Sequence, residues 1–277
     1  MRGTVYKRPV LRVRVRERLR HVLRWAADVQ RRYSEIGGQA LAGGIALYGF
    51  LAVFALLVLA VAVLGFISTG NSHLARDITH DLGLRGDAAH IIVDAVNAAR
   101  RSRRVTTIVG AIGILWLGTS FALTIAAAYD AAWRLPGRGV RSRAKGLVWL
   151  AGTALLLVVA GWATALWSIL PGGFAPLVIL VTLAGNTAIW LWTSWILPTR
   201  RAPIRVLVVP AIIGALALEV LKVVGAYVVP HYVTTSSELY GAIGVVFAVL
   251  LWLLVFGRVV VYIAIIEAKR GAGTIPL

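Results

Sequence analysis

The chain has 277 residues, 59% hydrophobic and 14% charged, with a mean hydropathy of +0.83. Soluble domains run nearer about 45–50% apolar and about 25% charged, so too few polar side chains remain to coat a soluble fold, and the class is an integral membrane protein. The net charge of +18 is concentrated at the ends of apolar segments, and the absence of Cys excludes disulfides, thiolate metal sites and thiol catalysis.

Residues 1–38 form a basic N-terminal segment with no apolar h-region, so no cleavable signal is expected. Leu19, Val22, Leu23, Ala26, Val29, Tyr33 and Ile36 recur at helical spacing, with Arg16, Arg20, Arg24 and Arg31 largely off that stripe. The pattern predicts a helix lying in the inner membrane interface, with anionic lipid headgroups as its partners. No nucleic-acid partner is expected, because no groove-reading motif or aromatic platform accompanies the charge.

A membrane-spanning helix needs about 20 mostly apolar residues. Six stretches qualify: Gln39–Ile67, Val105–Ala132, Gly146–Leu170, Phe174–Leu197, Val206–Val229 and Leu239–Ile266. The fold class is therefore all-α, a six-transmembrane-helix bundle in a membrane domain spanning 39–268, with a short tail at 269–277. "ILPGGF" reads as the turn between the third and fourth spans, and "HYVTTSSE" as the link between the fifth and sixth.

The long loop 68–104 carries a short stripe, Leu74, Ile78 and Leu82. A second stripe runs through Ala88, Ile91, Ile92, Ala95, Val96 and Ala99. Together they predict a small helical hairpin on the outer face. In the same loop His73, Asp77 and His80 stand at i, i+4 and i+7, a spacing that fits a metal. A solvated helix face gives the same pattern, so no metal or cofactor is expected.

Orientation follows the Lys and Arg bias of the loops. The side bearing both termini holds 21 of these residues and the opposite side 6, which predicts cytoplasmic termini. The cluster Arg100, Arg101, Arg103 and Arg104 at the outer mouth of the second span runs against that rule. Trp133, Trp149, Trp190, Trp192 and Trp195 fall near the inner interface and Trp162 and Trp167 near the outer one, as aromatic belts do.

Ionisable residues inside spans are the candidate site. Glu219 and Lys222 lie three apart and share a helix face. Fourteen Val, Leu and Ile residues in Val206–Val229 favour insertion by about 4–8 kcal/mol, whereas two central charges oppose it by about 5–7 kcal/mol. The pair therefore has to be sheltered, either as a neutralising structural pair or as part of a substrate or ion path. Arg258, with Tyr262 one turn on, lies inside the last span. Asp130 at the inner end of the second span is read as a partner for Arg258 or as an interfacial residue. Glycines such as Gly43, Gly44, Gly110, Gly113 and Gly118 supply small faces for close helix contact. A homo-oligomer is compatible with these faces, but the sequence fixes no oligomeric state.

At "TIVGAIGILWLGTSFALTIAAAYDAAWRLPGRGVRSRAKGLVWL" and "SELYGAIGVVFAVLLWLLVFGRVVVYIAIIEAKR" the chain resembles the YihY/BrkB family of bacterial inner-membrane proteins. "ALEVLKVVGAYVV" is similar to that family's fifth span, and the likeness runs from about Gly38 to Ala268. One departure is Ile265 and Ile266 before Glu267, where the family usually has Gly-Ala. The resemblance implies six helices, a multi-pass protein of the bacterial inner membrane and no settled biochemical activity. It also implies a virulence connection for some members and an old ribonuclease BN label. A metal-dependent nuclease needs clustered carboxylates or His facing water, and the 11 acidic residues here are scattered, so no enzymatic activity is expected. The leading expectation is a transporter-like or lipid-handling protein with a polar path near Glu219, Lys222 and Arg258. The competing reading is an envelope scaffold that transports nothing.

Overall fold

A computed structural model describes residues 10–67, 108–136, 141–168, 175–200, 202–240 and 242–272, and every regular element among them is helical. Helix α1 is Val10–Glu35 and α2 is Gly38–Ile67. Helix α3 runs Ile108–Ala132 and contains a π-helical segment, Ile114–Gly118. Then come α4 (Arg141–Ser168), α5 (Ala175–Ile196), α6 (Ile204–Tyr240) and α7 (Ala242–Gly271). Six of these, α2 to α7, are long and apolar enough to cross a membrane. The predicted hairpin, with His73, Asp77 and His80, lies outside the described residues.

Local chemistry sets the breaks. Helix α1 stops at Gly37, whose φ of +65° places it in the left-handed region where glycine is favoured. Helix α3 ends in a Schellman turn: Leu135 N–H donates to the Asp130 carbonyl at 2.9 Å and Arg134 N–H to the Ala131 carbonyl at 3.2 Å. The residue held left-handed there is Arg134, at φ 55°. Within α3, the Thr119 hydroxyl donates to the Leu115 carbonyl and Ser120 to the Trp116 carbonyl. These hydroxyls take up carbonyls where the π segment returns to α-helical pairing.

Helix α7 is the hub, packing on α6, α2, α3 and α1. Its buried side chains Val260, Val261, Ala264 and Ile265 meet Ala42, Ile45, Ala126 and Tyr129 in one core. Helices α2 and α7 approach backbone to backbone: a Cβ built on Gly257 would stand 2.5 Å from the Ala42 carbonyl oxygen. Outward faces stay apolar and exposed, as at Leu155, Trp162, Val220, Phe247 and Leu251. That is the surface a bundle presents to hydrocarbon.

Two expectations change. "HYVTTSSE" is not a loop, because α6 continues through it to Tyr240. After Pro230 that stretch has no Gly or Pro until Gly241, so nothing in the backbone stops the helix. At 37 residues, α6 is about 55 Å long, well beyond the roughly 30 Å of a hydrocarbon layer. The Trp residues expected near the inner interface also serve the core. Trp149 and Trp190 are 6% and 4% exposed and belong to the core. The indole of Trp149 donates to Thr193 Oγ1 at 3.0 Å, and the Trp190 ring lies against Gly214, where a Cβ would clash. Of the α1 stripe, Val29 and Tyr33 are buried against the bundle, whereas Leu23 is exposed.

Candidate functional site

The spacing of Glu219 and Lys222 on α6 brings their side chains together, Lys222 Nζ standing 3.1 Å from Glu219 Oε1. Asn186 of α5 donates its amide to the same carboxylate oxygen. Glu219 thus sits between a cation on its own helix and a neutral donor from the next. The Glu219 side chain is 27% exposed and that of Lys222 53%. The neighbouring Val220 and Val223 are exposed, so the unit opens toward the lateral face of the bundle. Asn186 had one sequence signal: it is the single amide in the apolar run of α5.

Arg258 belongs to a different cluster. Its guanidinium donates to Gln39 Oε1 at 3.0 Å, and the Tyr33 hydroxyl donates to that same oxygen at 3.4 Å. Tyr262 stacks on Tyr33 with centroids 4.7 Å apart, and its hydroxyl donates to Gln30 Oε1 at 2.7 Å. Burial raises the Tyr33 hydroxyl above its ordinary value, against the opposing pull of Arg258. Arg258 and Tyr262 therefore tie α7 to α1 and to the start of α2. Tyr33 was marked in the sequence only as part of the α1 apolar stripe, and Gln30 and Gln39 carried no mark, because their roles depend on how α1 folds back on the bundle.

Asp130 lies at the end of α3 against the turn that follows α5. It is 5% exposed and accepts from the Thr199 backbone N–H at 2.9 Å and from the Thr199 hydroxyl at 2.8 Å. It fixes the turn between α5 and α6. Glu267 is fully buried, and among the described residues neither carboxylate oxygen has a hydrogen-bond partner. Ser194 and Trp133 lie beside it outside hydrogen-bond geometry, and Ser194 Oγ is instead 3.1 Å from the Tyr129 hydroxyl. Among the described residues no group of three His, Cys, Asp or Glu is placed to hold a metal ion.

The arrangement offers two polar stations in an apolar bundle: an acid–base–amide unit on α5 and α6, and a guanidinium–amide–phenol cluster joining α1, α2 and α7. Each sets a cationic side chain beside an amide group.

No curated protein and no solved structure matches the chain. The family described as "Virulence factor BrkB" matches residues 29–270. That match runs from within α1 to the last turn of α7, and the chain belongs to this family of membrane proteins with several apolar helices.

Proposed function

We propose that the chain is a transporter-like or lipid-handling protein of the bacterial inner membrane, with both termini cytoplasmic. It moves or holds an anionic amphiphile or headgroup and makes or breaks no covalent bond. The carrying observation is the Glu219–Lys222–Asn186 unit, part-exposed in an apolar span. Ionisable groups at such a position are costly and are retained where a charged ligand passes. Lys222 supplies the cation that meets the ligand. Glu219 holds Lys222 in place when the ligand is absent, and Asn186 keeps Glu219 oriented. Arg258, further along and held by Gln39, is a second cationic station.

The chain has no Cys, so a single Cys at Lys222 is a clean reporter. In sealed vesicles it should react with a membrane-impermeant thiosulfonate from at least one face. No reaction from either face would favour the scaffold reading, in which the pair only fixes helix rotation. Reporter fusions at both termini test the orientation: activity confined to the cytoplasm is expected.

A further inference from the structure

A cavity of about 390 Å³ lies at the terminal end of the bundle, between α1, the end of α3, the turn after α5 and the end of α7. Five cationic side chains line it: Arg31, Arg32, Arg134, Arg200 and Lys269. Among the described residues two acids face them, Asp28 and Glu35. The acids are shared rather than matched. Glu35 is approached by Arg32 at 3.2 Å, Arg31 at 3.8 Å and Arg134 at 3.9 Å. Asp28 takes Arg31 at 3.0 Å and Lys269 at 3.7 Å.

Three of those five separations exceed hydrogen-bond length, so donors in this cavity remain unspent. Lys269 Nζ is the clearest case, buried and without a hydrogen-bond partner among the described residues. Helix ends account for part of the positive charge. Arg32 donates to the carbonyls of Ala131 and Ala132 at 3.1 and 3.4 Å. The C-terminal ends of α1, α3 and α7 border the cavity, each equivalent to about −0.5 of a charge. Together they offset roughly half of the three-charge surplus. A net positive field remains around part-exposed guanidinium donors and one buried ammonium, in a space the size of a small-molecule site.

Arg134 strengthens the case. It occupies the left-handed position of the Schellman turn, where glycine is the favoured residue. The α3 dipole favours a basic side chain at this end, but the left-handed backbone position itself favours glycine over arginine. Its guanidinium lines the cavity with Glu35 Oε2 3.9 Å away, beyond hydrogen-bond length.

We propose that this cavity binds a phosphate-bearing anion, with Arg134, Arg200 and Lys269 as the principal ligands and Asp28 and Glu35 as internal counter-ions. Arginine forks match phosphate oxygens in pairs, which favours phosphate over a carboxylate. A free phosphate compound and a lipid headgroup share this chemistry. The site is distinct from the Glu219 path and does not depend on it.

The test uses the full-length protein in a neutral detergent, titrated with inorganic pyrophosphate against chloride at matched ionic strength. A parallel arm compares nanodiscs of phosphatidylcholine alone with nanodiscs containing phosphatidylglycerol. Thermal unfolding is the readout in both. The variants are Arg134→Gly and Arg200→Gln. Arg134→Gly relieves the left-handed residue, so the free protein should unfold at the same or a higher temperature. A pyrophosphate-induced rise, cut at least tenfold in apparent affinity by either variant, supports the site and a free phosphate ligand. A rise confined to phosphatidylglycerol nanodiscs and lost in the variants supports the site and a headgroup ligand. No stabilisation by either probe beyond its control overturns the proposal, as does equal stabilisation of wild type and both variants.

Discussion

Asn186 of α5 and Glu219 of α6 meet through the amide and a carboxylate oxygen, and that oxygen also holds Lys222 at 3.1 Å. The pair that looked self-contained on one helix is therefore a joint between two. Removing either charge strands the other at a part-buried position. Lys222→Ala or Glu219→Ala alone should cost about 1–3 kcal/mol. The double change Glu219→Ala with Lys222→Ala should cost less than the two singles together, because no charge is left unpaired. Denaturation of the three variants in detergent measures this. Full additivity would mean the two side chains do not interact. If the double variant folds but fails to complement a deletion strain, the unit acts on a ligand as well as on packing.

Gly257 and Gly43 make a matched contrast. A Cβ at Gly257 meets the Ala42 carbonyl at 2.5 Å, whereas one at Gly43 meets nothing within 4 Å. Backbone cannot swing aside as a side-chain tip can. Gly257→Ala should force α7 away from α2 and cost about 1–3 kcal/mol. Gly43→Ala should be neutral or stabilise by up to about 1 kcal/mol, since alanine is the better helix former. Unfolding temperatures of the two variants give the comparison. Equal values would remove the close α2–α7 approach from the account.

Asp130 and Thr199 hold the turn between α5 and α6 by two hydrogen bonds, at 2.9 and 2.8 Å. Thr199→Val removes the hydroxyl bond but keeps the backbone one, for an expected loss of about 1.5 kcal/mol. Asp130→Ala removes both and leaves the Thr199 N–H without its acceptor, so its cost should be larger, about 3 kcal/mol. Reversal of that order in thermal unfolding would show that Asp130 is held mainly by something other than Thr199.

These contacts show what the sequence carries and what it does not. Hydropathy over about 20 residues located the six apolar helices, because burial in hydrocarbon acts on segment composition. Spacing of three placed Glu219 beside Lys222, a relation internal to one helix. Arg258 was linked to that pair on grounds of charge alone. Its actual partner, Gln39, comes from α2, and helix rotation about its axis is set by packing between helices. Asn186, Thr199 and Gln30 are ordinary polar residues in sequence and acquire roles only through tertiary contact. The Trp residues of the inner end carry no mark that separates a belt from a core. Trp190 is buried because Gly214 on another helix leaves room for its ring.

The last prediction concerns how α1 is held. Its buried residues on the bundle are Val29 and Tyr33. Tyr33 stacks on Tyr262, Tyr262 donates to Gln30, and Arg258 donates to Gln39 just beyond the α1–α2 turn. Tyr262→Phe keeps the stack and loses one neutral hydrogen bond, about 1 kcal/mol. Arg258→Met loses a charge-assisted bond, about 1.5–3 kcal/mol. Neither change touches Val260, Val261 or Ala264 in the core of α7. Both should loosen the docking of α1 more than they destabilise the bundle, because local opening draws on local contacts. Trypsin cleavage after Arg24 and Arg31 should therefore speed up in both variants. The gain should be about fivefold in Tyr262→Phe and at least tenfold in Arg258→Met, with little change in the unfolding temperature. Unchanged cleavage in Arg258→Met would mean that α1 is held without help from the Arg258–Gln39 bond. A large fall in unfolding temperature would instead place Arg258 among the supports of the whole bundle.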